Sequence, residues 1–157
     1  MKRGFTLIEL LMSIAIIAIL STITLGLINS TQAKGRDSKA IREFQEVRSA
    51  LALYQNEFGR YPNETPILSN PYIDNFNSMA TELVSRGYLA KVPTPPAGRS
   101  YHYYNYGPGE IGALLVTSLE TYPESTGYSG SCRPWASGQA NWCTTDASHY
   151  YCLCLKY

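Results

Sequence analysis

Residues 5 to 28, FTLIELLMSIAIIAILSTITLGLI, make one apolar run whose only formal charge is Glu9. As a helix rising about 1.5 Å per residue this run reaches roughly 36 Å, enough to cross a hydrocarbon core of about 30 Å. Lys2 and Arg3 precede it, which by the positive-inside rule keeps the N-terminus cytoplasmic and sends the rest outward. Ser13, Ser21, Thr22, Thr24 and Gly26 interrupt the run without charging it, and small residues of this kind let helices approach closely. Glu9 is the anomaly. A carboxylate at membrane depth costs roughly 3 kcal/mol on insertion scales, so something must compensate it.

A secretory signal peptide cut after Thr31-Gln32-Ala33 and a plain single-pass anchor both leave Glu9 unexplained, and the run exceeds the usual apolar core of a signal peptide. A third reading begins with the order of residues at the front. Lys2-Arg3-Gly4-Phe5-Thr6-Leu7-Ile8-Glu9 resembles the leader of type IV pilins and type II secretion pseudopilins. The resemblance implies that a prepilin peptidase cuts between Gly4 and Phe5 and N-methylates Phe5. The new amine stays cationic, and Glu9 lies one helical turn further on. As subunits stack, Glu9 of one chain meets the Phe5 amine of its neighbour. Breaking such a buried pair costs about 3 to 5 kcal/mol, so it would select register. Neutralisation of the amine of its own chain, or protonation of Glu9, are the plainer alternatives.

No proline occurs before Pro62, so one helix can continue well past residue 28. Ile41, Phe44, Val47, Leu51, Tyr54 and Phe58 recur in steps of three and four and draw one apolar face. The domain organisation expected is a cleaved leader at 1–4, a membrane and filament-core half at 5–28, an amphipathic half at 29–59 and a head at 60–157. Gly59, followed by Pro62, stops the helix. The strings ALALYQNEFGRYP (50–62) and LVSRGYLAKVP (83–93) also resemble pseudopilins. Many members kink the membrane helix with a proline where this chain has Gly26, which weakens a helix by about 1 kcal/mol without breaking it. Residues 63–75 read as a loop, and Asn77 or Ser78 as the cap of a short helix through Arg86 that ends at Gly87.

Ser100–Tyr106 and Ile111–Leu119, on either side of Gly107-Pro108-Gly109-Glu110, predict a β-hairpin. A last strand over His149–Tyr157 joins it, giving an α+β head: a long N-terminal helix packed on a small antiparallel sheet. Twelve of the 13 tyrosines lie beyond residue 60, and tyrosine suits a sheet with one face in water. Cys132, Cys143, Cys152 and Cys154 lack zinc-knuckle spacing, and an even number on the outward side of a membrane favours disulfides. On a strand Cys152 and Cys154 stand about 6.5 to 7 Å apart, too strained to bond each other readily. Cys132 and Cys143 should each reach one of them, in either order.

Chemistry finds little support. His102 and His149 have no recognisable nucleophile setting, and no phosphate-binding glycine loop is present. Major pseudopilins often bind calcium in a C-terminal loop, but Glu124 and Asp146 are too few hard ligands. After residue 100, Arg133 and Lys156 face Glu110, Glu120, Glu124 and Asp146, a balance that disfavours nucleic acid. The expected product is a structural subunit of a type IV pilus-like filament: no enzyme, no cofactor, no metal. Its partners would be copies of itself, other pilin-like subunits, prepilin peptidase, an inner-membrane assembly platform and the lipid bilayer before assembly. Two alternatives stand beside it: a type II secretion pseudopilin, its filament periplasmic rather than on the cell surface, and a minor tip subunit holding a sugar or DNA through Trp135, Trp142 and the tyrosines.

Overall fold

The structure is a computed structural model that describes residues 6–62, 75–109, 111–121, 132–136, 138, 143–145 and 149–157; for 22–28 it describes the backbone alone. The chain divides into two compact units, Met1–Gly35 and Arg36–Tyr157. Helix α1 (Leu7–Phe58) supplies the first unit and opens the second. Its backbone stays helical through Gly26.

In the second unit α1 buries Ala40, Phe44, Val47, Ala50, Leu51 and Tyr54. Four of the six residues in the apolar stripe read from the sequence are therefore core. Ile41 is half-buried beside Ala40. Phe58 sits at the rim, its ring centroid 4.6 Å from that of Tyr54 and 4.5 Å from the Arg86 guanidinium carbon. The helix ends as the glycine predicts: Gly59 takes φ +70° and donates its N–H to the Gln55 carbonyl at 2.8 Å. A left-handed residue there satisfies one carbonyl that the helix end would otherwise orphan.

Helix α2 (Phe76–Ser85) buries Phe76, Met79, Ala80 and Leu83. It begins one or two residues before the predicted caps, with Asn75 at the cap position and no side-chain capping bond. Packing explains the shift: the Phe76 ring lies 5.3 Å from Tyr101 and 6.4 Å from Phe44, and the Asn75 N–H donates to the Tyr103 carbonyl. At the other end Gly87 N–H bonds the Val84 carbonyl and Tyr88 N–H bonds the Leu83 carbonyl, the two reciprocal bonds of a Schellman stop.

Strands β1 (Tyr101–Asn105), β2 (Ala113–Ser118) and β3 (Tyr150–Leu155) form one antiparallel sheet in that order. Tyr103 stands opposite Leu115, and Leu115 opposite Leu153. Because side chains alternate across a strand, each strand presents two faces. Tyr101, Tyr103, Leu115, Tyr151 and Leu153 join α1 and α2 in the main core. Tyr104, Leu114, Val116 and Cys152 point the other way, into a second cluster with Cys143. The sequence reading left that second face in water. The structure corrects this: Tyr104, Leu114, Val116 and Cys152 are all buried, because Cys132, Trp135 and Cys143 pack in the same cluster.

Candidate assembly stem and the stapled face of the head

Thr6 directly precedes α1, and Glu9 is the third residue of that helix. The Glu9 carboxylate turns back to accept the Thr6 N–H at 2.9 Å and the Thr6 hydroxyl at 2.7 Å. A glutamate at this position that bonds the cap residue is half of a capping box, and a negative charge in the first turn suits the helix dipole. The carboxylate thus has a partner in its own chain, a role the sequence reading missed although Thr6-x-x-Glu9 is a capping signature. Gly4 and Phe5 lie outside the described residues, and the expected contact between Phe5 and Glu9 lies there with them.

Along the same helix Ser13 returns its hydroxyl to the Glu9 carbonyl and Ser21 to the Ile17 carbonyl. These two hydroxyls are therefore satisfied locally. Ten large apolar side chains between Leu7 and Leu20 are more than half exposed in the single chain. So much exposed apolar surface marks an interaction face. Among the described residues no helix is long and apolar enough to cross a membrane; the run read from the sequence extends into 22–28.

In the head the four cysteines form two bridges, Cys132–Cys154 and Cys143–Cys152. Both partners on β3 face the second cluster, since Cys152 opposes Val116 and Cys154 opposes Leu114. The Cys132 N–H donates to the Cys152 carbonyl at 2.8 Å. Arg133 donates to the Cys132 carbonyl at 3.0 Å and to the Tyr150 carbonyl at 2.9 Å. Burial pulls its guanidinium pKa downward. Trp135 closes the cover, edge-on to Tyr106 at 6.1 Å and bridged to Thr144. Trp142, Glu110, Glu124 and Asp146 lie outside the described residues.

A polar clasp holds the start of the connection from β2 to β3. Asp37 is buried and accepts the Glu120 N–H at 2.8 Å, the Thr121 N–H at 2.7 Å and the Thr121 hydroxyl at 2.5 Å. Beside it Arg36 grips Glu120 through two bonds of 2.7 Å. That contact, ahead of the charge of Arg36 and Arg99, holds the Glu120 carboxyl below its usual range. Nothing in the string Arg36-Asp37 announced this, because its partners lie 83 and 84 residues away.

His102 stacks on Tyr104, and His149 lies against Tyr150. All four cysteines are bridged, so no free thiol is present. Among the described residues no group of three His, Cys, Asp or Glu side chains is placed to hold a metal.

Comparison with known proteins bears on both parts. Residues 1–25 match the prokaryotic N-terminal methylation motif, and residues 27–129 match the family model of type II secretion system protein G. The chain is 30% identical over 126 residues to the type II secretion system core protein G of Escherichia coli K12, covering 74% of this chain and 80% of that one. It is 27% identical over 122 residues to the core protein G of Pectobacterium carotovorum, covering 75% of each. With that of Klebsiella pneumoniae it shares 26% over 141 residues, 88% of this chain and 97% of the relative. No solved structure matches. A match over well over half of its length places the chain in the type II secretion system protein G family, the pseudopilins.

Proposed function

We propose that this chain is a structural subunit of a type II secretion pseudopilus, made as a membrane-anchored precursor, cut between Gly4 and Phe5 and N-methylated at Phe5. The observation that carries the proposal is the joining of two matches in one chain: the methylation motif over 1–25 and the protein G family over 27–129. These favour secretion over the surface pilus that the leader suggested first.

The work of such a subunit is mechanical, with no reaction of its own. Before assembly the stem lies in the inner membrane, N-terminus inside and head in the periplasm. In the single chain Glu9 is held by Thr6. During polymerisation it exchanges this partner for the Phe5 amine of a neighbour, so the charge stays partnered throughout. The apolar side chains between Leu7 and Leu20 then bury against other stems. Copies of the chain and other pseudopilins are the filament partners, with prepilin peptidase and the inner-membrane platform acting on the precursor.

The test is complementation of a strain lacking its own copy, with intact-mass analysis of the membrane fraction. Restored export of a secreted protein, with a chain beginning at N-methylated Phe5, supports the reading. A chain that keeps Met1 to Gly4 or begins at Lys34, or one that restores surface fibres without secretion, overturns it.

A further inference from the structure

The two bridges on the outer face of the sheet differ in their access to solvent. Cys143 and Cys152 are both fully buried, enclosed with Tyr104, Leu114 and Val116. Cys132 and Cys154 are partly exposed, and both line an open cleft of about 440 Å³ together with Ile111, Arg133, Pro134 and Lys156. A cleft of this size lies in the range that admits small molecules. Two of its lining residues are cationic, and no acidic residue is among those described there.

Thiol–disulfide exchange needs a sulfur that an incoming thiolate can reach and a leaving thiolate that its surroundings stabilise. Neighbouring positive charge favours thiolates, both the one arriving and the one leaving. The outer bridge meets these conditions at its cleft, and the inner bridge fails the first. We propose that Cys132–Cys154 is an exchange site for a small anionic thiol, while Cys143–Cys152 is a permanent staple.

In the first step the incoming thiolate forms a bond to one bridge sulfur, and the S–S bond breaks with its electron pair leaving on the other cysteine. A second thiolate attacks the mixed disulfide, forms the small disulfide and releases the second cysteine as thiolate. Two small thiols lose two electrons in total and the bridge gains two; each cysteine sulfur then takes a proton from water. A small disulfide reverses the sequence. The opened site stays poised to close. Cys132 is still tied to β3 by its N–H on the Cys152 carbonyl, and Arg133 still spans the Cys132 and Tyr150 carbonyls.

The experiment takes the full-length protein in detergent micelles at neutral pH. It is exposed to glutathione (anionic), 2-mercaptoethanol (neutral) or cysteamine (cationic), matched for thiolate concentration. Alkylation and peptide mass mapping then time the release of each cysteine. Cys132 and Cys154 should appear about tenfold faster or more than Cys143 and Cys152. Per thiolate, glutathione should outpace cysteamine. Lys156→Gln, at an exposed side chain, should slow glutathione several-fold and leave 2-mercaptoethanol unchanged. In concentrated urea the two pairs should react alike. Equal release of both pairs in the folded protein, inner release first, a rate blind to thiol charge, or a difference that persists in urea would each overturn the proposal.

Discussion

Glu43 accepts the Tyr101 hydroxyl at 2.6 Å inside the interface between α1 and the sheet. Its other oxygen stands 3.6 Å from the Lys39 ammonium, which itself donates to the Thr94 carbonyl. A carboxylate taken out of water needs such partners, and a hydrogen bond to a charged group is worth about 1.5 to 3 kcal/mol. Tyr101→Phe should therefore destabilise the head by about that amount. A Tyr101→Phe, Glu43→Gln double-mutant cycle in denaturant should return a coupling of at least about 1 kcal/mol. Additive effects would mean that the bond contributes nothing.

Burial, above all, raises the pKa of Tyr101 and Tyr103, with the Glu43 bond adding to the shift at Tyr101. A tyrosine whose folded pKa lies above its unfolded value of about 10 keeps its full contribution to stability below that value. The contribution is lost as pH rises beyond it. In an alkaline titration, then, some phenols should ionise at about pH 10 while the far-ultraviolet signal holds. The remainder should ionise only as that signal collapses. A single smooth titration of every phenol with structure intact would contradict the burial.

Asp37→Ala strips the Glu120 and Thr121 N–H groups and the Thr121 hydroxyl of their common acceptor. A hydrogen bond to a charged group is worth about 1.5 to 3 kcal/mol, partly recovered from water at these half-buried residues. A loss on the order of 2 to 3 kcal/mol is expected, with faster amide exchange at Glu120 and Thr121 and unchanged exchange in the middle of α2. Unaltered protection at those two amides would show that the clasp is idle.

Gly112 carries a sharper constraint. Its φ is +67°, and a Cβ there would fall 2.0 Å from the Leu155 carbonyl oxygen, a backbone atom. Gly112→Ala should cost on the order of 3 kcal/mol or more, since strand β3 would have to move. Gly109→Ala, with nothing within 4 Å of the new Cβ, is the matched control and should stay within about 0.5 kcal/mol of the parent. Thermal unfolding of the two variants separates them.

Local patterns were legible where the physics is local. Steps of three and four from Phe44 to Tyr54 gave the buried face of α1, and Gly59 and Gly87 gave the two helix ends. Aromatic and β-branched runs around Gly107 gave the hairpin. Cys152 and Cys154, two apart on a strand, could be seen to share a face, but their order of pairing could not. That order depends on how the segment through Trp135 lies over the sheet, which no spacing encodes. The same holds for the burial of Tyr104, the early start of α2 at Phe76 and the clasp of Asp37 on residues 120–121. Each is set by a partner distant in sequence. Glu9 is the reverse case: its bond to Thr6 is local and was legible, but membrane depth and the neighbouring amine drew the reading elsewhere.

The bridges are nested, Cys132–Cys154 spanning 22 residues and enclosing Cys143–Cys152, which spans 9. Under tension along the chain, load passes from Cys132 straight to Cys154 and bypasses everything between. At about 3.5 Å per extended residue, roughly 75 Å of contour length can never be paid out while the outer bridge holds. While that bridge is closed the C-terminal segment is thus an inextensible link, and any lengthening of the chain must come from outside residues 132–154.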